Sequence, residues 1–528
     1  MLSAPLPLAA QEEGGSMLEN FLQDTLSGDD QNVTVKGLQG ALSARATIEE
    51  ITVADDEGVW LTIKDAELDW NRLALIRGRF SVNALTAQEI DIARAPGTTT
   101  TEAPPPSAET TPFQLPELPV AIEIGELRID ELALGEPLIG VAADLNVTGN
   151  LSLADGTLDT SLDITRLDRA GDEISLKAGF QNASSQIDLD LSVVEASGGL
   201  ISTALKIPDS PPIGLTAKGS GPVTDFTADI SLSSDNQPRV SGQVRLRAAE
   251  SGAADGIAFT ADLGGDLTPF VASDMDVFFG SDTRLFVDGQ TQPEGALNIS
   301  DLEFTSQALK LEGQLELASG GTLQLAALQG RITPPEGDKV VLPVSGGGTS
   351  IEAAQISALF DQKNGNLWDL SLTANGLTTD QISLRRAQIA AQGSLEQGDA
   401  LSVDGDLQAA LDGLDLSNPA LNTAIGDRIT LDGVFEYGSD QTLNLSGFEL
   451  IGADYTLDLD ALISGLTSGL NIDGSAKLDA SDLSRFSDLA KLDLGGEVFG
   501  AAAEGGFAVA GLVGRDEQAP GRGGAGVH

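Results

Sequence analysis

The side chains of this sequence that could carry out chemistry are almost all carboxylates. The chain has 80 Asp and Glu against 29 Lys and Arg, no cysteine, and a single histidine, the terminal His528. Without cysteine there is no thiolate nucleophile, disulfide or zinc–sulfur site, and one terminal histidine argues against Ser-His-Asp triads and histidine metal sites. We therefore expect no enzyme activity, no catalytic or metal-binding residue and no cofactor.

Two groups of carboxylates still need a chemical interpretation. Asp55-Asp56-Glu57 offers hard oxygen ligands for calcium, but it lacks the Asp-x-Asp-x-Asp-Gly spacing of a calcium loop, so we interpret it as a turn between strands. Asp188 and Asp190 share one face of a predicted strand, as a carboxylate pair in a hydrolase would. Such pairs recur along the chain, which favours a solvated surface over catalysis.

Three short motifs give weaker signals. Gly219-Ser220-Gly221-Pro222 is a glycine-rich stretch that we interpret as a turn, because no clear helix follows it to complete a phosphate cradle. Asn146-Val147-Thr148 and Asn182-Ala183-Ser184 match the glycosylation sequon, a triplet that arises easily by chance.

An alternation of apolar and polar residues positions all of these side chains. A period of two is typical of strands with one apolar and one polar face. We predict a mainly β fold, an elongated and curved antiparallel sheet that leaves an open groove, with a few short helices. The candidate groove-lining residues are Leu158, Leu162, Ile164, Ile187, Leu189, Leu191, Val193, Leu311, Leu315 and Leu317. A closed barrel of so many strands is disfavoured, and sandwiches in series would need more linkers than the sequence offers.

The pattern divides the chain into five parts. They are a remnant of a signal or anchor region (1–12), an N-terminal β region (13–94), a Thr/Pro-rich linker or loop (95–119), a long β-groove (120–496), and an atypical tail predicted to be disordered (497–528). Short helices are expected at 13–27, 267–280, 350–361 and 479–492, the last capped by Asp479 or Ser481.

The charge balance limits the partners. A formal net charge of −51 disfavours nucleic acid and anionic membrane surfaces, since both bind basic patches. Acidic residues on the wet face of a sheet also keep it soluble and deter pairing between sheet edges.

The N-terminal motifs, in their order, resemble the opening of the TamB family, the inner-membrane part of the translocation and assembly module. These motifs are the turn Gly37-Leu38-Gln39-Gly40, the Asp-x-x-Gly-x-Trp-Leu stretch 55–61, Leu68-Asp69-Trp70, and a closing strand with Ile90, Ile92 and Arg94. Residues 215–232, 267–280 and 479–496 are similar to recurring elements of the family. The resemblance covers most of 18–496.

The resemblance implies an AsmA-like, bridge-like lipid-transfer protein of the periplasm, anchored in the inner membrane. Its β-taco groove would hold phospholipid acyl chains, and its C-terminal domain would engage an outer-membrane barrel partner of the TamA type. The family's roles are phospholipid transport to the outer membrane and the assembly and secretion of outer-membrane proteins.

This chain departs from the TamB pattern at both ends. Compared with that pattern, it lacks a full anchor and the expected C-terminal domain, so we expect the domain that contacts the partner to be missing. A frameshift, a truncated gene or a disordered tail would each explain 497–528. Two alternatives remain open at this point, a scaffold that templates strands of outer-membrane barrel clients and a secreted β-solenoid adhesin.

Overall fold

The computed structural model describes residues 32–40, 43–75, 78–97, 115, 121–249, 256–292, 295–335, 339–344, 348–398, 401–438, 441–465 and 470–509. The predicted anchor remnant at 1–12 and the predicted helix at 13–27 lie outside these ranges, as does most of the predicted linker. The chain divides into two compact units, residues 1–322 and 323–528.

The first unit is built from sixteen described strands. They are β1 (Asn32–Lys36), β2 (Arg45–Asp55), β3 (Gly58–Asn71), β4 (Arg79–Ile92), β5 (Ala121–Leu134), β6 (Ala143–Ala154), β7 (Thr157–Arg166), β8 (Glu173–Gln181), β9 (Gln186–Glu195), β10 (Ile213–Pro222), β11 (Asp225–Ser234), β12 (Gln237–Ala248), β13 (Ile257–Gly265), β14 (Thr283–Thr291), β15 (Leu297–Thr305) and β16 (Leu309–Leu317).

The second unit contains thirteen described strands. They are β17 (Leu323–Ile332), β18 (Val340–Val341), β19 (Ser350–Ile351), β20 (Ala353–Asp361), β21 (Leu367–Thr378), β22 (Ile382–Glu396), β23 (Ser402–Asp412), β24 (Asp415–Leu416), β25 (Arg428–Tyr437), β26 (Leu443–Ile451), β27 (Tyr455–Ser464), β28 (Leu470–Ala480) and β29 (Val498–Val509).

The described helices are short and lie between strands. The α-helices are α1 (Arg72–Leu75), α2 (Glu136–Ile139), α3 (Leu200–Ala204), α4 (Asp276–Phe279), α5 (Pro419–Ile425) and α6 (Ser487–Ala490), and the 3₁₀ turns are Thr268–Phe270, Ser273–Met275, Gln362–Asn364 and Leu483–Phe486. A mainly β fold with a few short helices is therefore confirmed.

Strand pairing follows the chain and is open. In the first unit each strand from β1 to β16 pairs with the next, and no described pairing joins β16 back to β1. All of these pairs are antiparallel except β4 and β5, which run parallel. The sheet is thus mixed rather than purely antiparallel, and the connection at 93–120 is longer than the roughly twelve residues that a parallel pair requires.

Tight turns join many of the strands. Asp155 and Gly156 alone connect β6 to β7, and both have positive φ, 50° and 69°. Two consecutive positive φ values define the type I′ turn, whose twist matches that of the flanking strands. The turn predicted at 55–57 is confirmed, since β2 ends at Asp55 and β3 begins at Gly58.

Larger connections recur at a fixed interval of strands. In the first unit α2, α3 and α4 follow β5, β9 and β13, so four strands separate successive helices. In the second unit the insertions after β17 (with β18 and β19), β23 (with β24 and α5) and β28 (with α6) are also four ladder strands apart. Because the paired strands from β5 onward in the first unit, and those of the second unit, alternate in direction, all of these insertions within a unit lie at the same ends of the strands.

Three stretches differ from the sequence predictions. Residues 350–361 form strands rather than a helix, because β20 pairs with β17 on one side and β21 on the other. The glycine-rich stretch 219–222 lies inside β10, where a Cβ on Gly219 would approach the Phe226 ring to 2.8 Å. Residues 498–509 form β29, whereas the sequence placed them in the tail; residues 510–528 lie outside the described ranges.

Candidate functional site: the apolar face of the ladder

One face of the ladder in the first unit is apolar from strand to strand. Residues directly opposite each other in adjacent strands point to the same face, so the register shows which side chains share it. One row crosses β2 to β16 and contains only apolar residues and glycine. It consists of Ala46, Leu68, Leu85, Leu127, Gly149, Leu162, Leu176, Leu191, Ala217, Ile230, Gly242, Leu263, Leu285, Phe304 and Leu311.

The register brings the ten predicted lining residues onto this apolar face. Ile164 shares a row with Ile174 of β8 and Val193 of β9, and Leu158 shares one with Phe180 and Ile187. Leu189 lies between these rows on β9. On β16, Leu315 opposes Ile299, and Leu317 opposes Leu297. The shared face of these residues was predictable, since it depends only on their period-two spacing.

The second unit has an equivalent apolar face of its own. A row without polar residues crosses its ladder from β17 to β28. It consists of Gly330, Ile356, Leu372, Ile389, Ala409, Leu431, Leu450, Leu457 and Leu478.

Side chains of the apolar face are mostly half-buried. Among the ten predicted lining residues, Val193 is buried at 3% exposure, and the other nine keep intermediate exposure. A sheet face sealed by a second packed layer would bury most of its large apolar side chains. The apolar face therefore keeps accessible surface that can contact an apolar ligand.

The polar face carries charges that pair across strands. One row consists of Ser161, Lys177, Asp190, Lys218, Asp229, Gln243 and Asp262. Lys218 Nζ lies 3.0 Å from Asp190 Oδ1, and Arg284 Nε donates to Asp262 Oδ1 at 2.8 Å. The hydrogen bond from Arg284 holds the pKa of the Asp262 carboxyl below its usual range. Such cross-strand pairs stabilise the ladder and keep this face wet.

The predicted carboxylate groups have structural partners. Asp55 is 5% exposed and accepts a hydrogen bond from the Arg94 guanidinium and one from the Gly97 amide at 2.7 Å. The Arg94 hydrogen bond holds the pKa of Asp55 well below its usual range. Asp188 accepts from the Ser220 hydroxyl, and Asp190 pairs with Lys218. These contacts support the interpretation of a turn and a solvated strand face.

No cluster of carboxylates, histidines or cysteines in the described ranges has the geometry of a metal site. None of the helices placed by the structure has the length and apolarity needed to cross a membrane.

Both sequon asparagines use their side-chain amides internally. Asn146 Nδ2 donates to Ile129 O at 3.0 Å. Asn182 Nδ2 donates to Leu115 O at 3.0 Å, and Leu115 N donates back to Asn182 Oδ1 at 2.8 Å. Leu115, which the sequence placed in the linker, is 7% exposed. This point of the predicted linker is thus fixed to the β8–β9 turn.

The structure contains a buried charge network around Arg166 that was not predicted from the sequence. Arg166, with a side chain 4% exposed, donates to Asp168 at 2.8 Å and to Asp172 at 3.3 Å, and Asp172 is 5% exposed. Asp172 also accepts from the Ala196 amide at 2.8 Å, and Arg166 donates to Ala142 O at 3.2 Å. The network joins the β5–β6, β7–β8 and β9–β10 connections. The only signal in the sequence was the local density of charge at 166–172.

The apolar face also contains a hollow that was not predicted from the sequence. It lies against β2 to β5, has a volume of about 480 Å³, and is lined by residues such as Leu38, Ile48, Ala66, Trp70 and Ile129. Strand alternation places these residues on one face, but it cannot show where that face encloses a space.

The chain has no match among known proteins in three comparisons: no family model, no curated protein and no solved structure matches it.

Proposed function

We propose that this chain is the periplasmic β-groove segment of a TamB-like protein, which is anchored in the inner membrane. It would carry phospholipid between the inner and outer membranes and support the assembly and secretion of outer-membrane proteins, with a TamA-type barrel as partner. Acyl chains would lie on the apolar face while head groups stay in water. No bond is made or broken, so the proposal includes no enzyme activity.

The observation that supports this proposal is the unbroken apolar row from β2 to β16. Transfer of apolar surface out of water is favourable at about 25 cal/mol per Å², so an accessible apolar face attracts acyl chains along its whole length. The alternating charges on the opposite face confine the attraction to one side.

A band substitution tests the proposal. Replacing Leu158, Leu162, Ile164, Ile187, Leu189 and Leu191 with aspartate puts charges across the face, and desolvating them opposes acyl-chain passage. We expect the phospholipid that co-purifies with the full chain to fall several-fold. The matched control replaces Ser175 and Ser192, which oppose each other on the polar face, with aspartate.

Two readouts keep this test decisive. Circular dichroism and thermal unfolding establish that the band variant is folded, and the single variant Leu162→Asp is a milder replacement if it is not. Unchanged co-purifying phospholipid in a folded band variant, together with intact outer-membrane function in cells, would overturn the proposal.

The open ladder also favours a second candidate, a scaffold that templates strands of outer-membrane barrels. Among the described strands, β29 pairs with β28 alone, and an exposed edge strand can accept another chain by β-augmentation. This candidate predicts crosslinks from β29 to client barrels and no bound lipid. A β-solenoid adhesin is less compatible with the structure, since every described pair of strands except β4–β5 is antiparallel, whereas a solenoid stacks parallel coils.

A further inference from the structure

The hollow against β2 to β5 differs in chemistry from the hollows on the polar face. Its lining side chains are almost all aliphatic, with Trp70 as the one aromatic residue. Hollows of about 520 Å³ and about 410 Å³ elsewhere in the first unit are lined by charged residues such as Asp159, Lys177, Arg245 and Asp262. The hollow at β2 to β5 therefore suits an apolar ligand.

The polar residues at this hollow do not change that conclusion. Glu67, Thr86 and Arg128 oppose one another across β3, β4 and β5. Strand alternation turns their side chains to the polar face, so they offer backbone to the hollow. Glu67 is also held outside by an ion pair with Arg45.

One end of the hollow is lined by fixed side chains, Trp70 and Leu38. Trp70 Nε1 donates to Ser43 O at 3.1 Å, and its ring lies 5.9 Å from that of Phe80. Leu38, which lies near the same ends of the strands as Trp70, is 7% exposed. Because these groups are already packed or hydrogen-bonded, this end is preorganised to receive the terminal part of a ligand.

The length and volume of the hollow fit a single slender ligand. From Ile63 to Trp70 the lining follows β3 for a length of about 24 Å at the usual rise per residue. The positive φ of Asp65, 49°, interrupts the alternation, so Ile63 lines the hollow together with Ala66. An acyl chain in one leaflet of a bilayer spans about 15 Å, half of the hydrocarbon core. A hollow of about 480 Å³ that extends over this length is slender and suits one extended chain.

We propose that this hollow is a discrete site for one long unbranched acyl chain, bound with its methyl end against Trp70 and its polar head outside. This inference rests on the proposed function, since the hollow is part of the same apolar face, and it adds a holding site of defined stoichiometry. A free fatty acid and one chain of a phospholipid share this chemistry.

Trp70 provides a direct readout of occupancy. The chain has three tryptophans, so Trp60→Phe with Trp368→Phe leaves Trp70 as the only one. In the full chain with these two substitutions, a fatty acid brominated near its methyl end is expected to quench more than half of the Trp70 fluorescence, saturating at one ligand per chain. Bromination near the carboxylate is expected to quench less. Brominated phosphatidylcholine vesicles form the second arm, and the arm that quenches identifies the source of the chain.

A filling substitution and a matched control locate the site. Ala66→Phe occupies the hollow and is expected to abolish quenching, whereas Ala217→Phe, an alanine of similar burial on the apolar face of β10, leaves it unchanged. Ala66→Leu replaces Ala66→Phe if the larger residue prevents folding. Absence of quenching in both arms, quenching that never saturates, or quenching that survives a folded filling variant would each overturn the site. Saturable quenching together with unchanged phospholipid in the band variant would leave the site standing and reject the lipid-transport proposal.

Discussion

Arg166 shows how single charged residues stabilise this fold. Its guanidinium bonds two aspartates and a carbonyl that belong to neighbouring connections, and both Arg166 and Asp172 are almost fully buried. Burying a charge costs desolvation free energy that its partners offset, so removing one member leaves the others buried and unpaired in a low dielectric. The network thus fixes the connections at the ends of the strands where α2 and α3 lie.

Replacement of Arg166 is expected to be costly. Arg166→Met leaves Asp172 buried without its main cation, and we expect a loss of about 3 kcal/mol in the free energy of unfolding. Urea denaturation monitored by circular dichroism measures it. The control is Arg128→Met, because Arg128 is exposed and its nearest carboxylates are 3.6 Å and 3.8 Å away. Equal losses for the two variants would contradict the role of the network.

The same network makes stability depend on pH. The hydrogen bond from Arg166 lowers the pKa of Asp168 in the folded state, so the folded chain binds fewer protons than the unfolded chain. The stabilisation is complete above the unfolded pKa of about 3.9 and is lost as pH falls through the lower folded pKa. We expect Asp168→Asn to reduce the fall in melting temperature between neutral and acid pH. Asp163→Asn, at an exposed position on the polar face, is the matched control, and an equal reduction in both variants would contradict the role of Arg166.

At the level of elements, the strands were predictable and the helix caps were not. Period-two spacing identified β7, β9 and β16 and the face that each presents. At 350–361, apolar residues at helical spacing suggested a helix, and pairing with two neighbouring strands overrode that local preference. The predicted caps Asp479 and Ser481 were wrong. β28 continues to Ala480, and the Asp482 side chain accepts from Ser484 N to begin the turn at Leu483.

The identity of the N-cap can be tested at Asp482, the residue that caps the turn at Leu483 in the structure. Asp482→Ala removes the acceptor of the Ser484 amide, so it is expected to speed hydrogen exchange of the amides in 483–490. Ser481→Ala is the control, since its hydroxyl bonds Asp454 O instead. Faster exchange in the Ser481 variant than in the Asp482 variant would contradict the assignment.

At the level of each whole unit, open pairing and a fixed interval of strands define the architecture. The sequence predicted the mainly β class but not the parallel β4–β5 pair, which depends on a crossover that composition alone cannot reveal. It also showed no repeat of fixed length, because the helices begin at Glu136, Leu200 and Asp276 and the interval in residues varies. The repeat is counted in strands, and turn lengths differ from one hairpin to the next.

Deleting four strands is expected to be tolerated. Removal of residues 136–199 takes out α2 and β6 to β9 together with the Arg166 network. The chain then runs from the end of β5 through α3 into β10, and this connection stays at the same ends of the strands. We expect a soluble chain with a β-type circular dichroism spectrum and cooperative unfolding.

Deleting three strands is the matched control. Without residues 143–185, the eight residues between β5 and β9 must cross the sheet, yet they reach at most about 28 Å against a β9 length of about 34 Å. We expect this variant to misfold or aggregate. A well-folded three-strand deletion beside a misfolded four-strand deletion would contradict the modular interpretation.

The recurrence of one insertion after every four strands has an evolutionary consequence. Because a block has four antiparallel strands, a duplicated block begins and ends at the same ends of the strands as the original. The next strand therefore keeps its direction, and the same face stays apolar. Length can therefore change in increments of about 19 Å, four strand spacings, without redesign of the remaining sheet. A gene encoding this chain could lengthen or shorten by whole blocks and so adjust its reach.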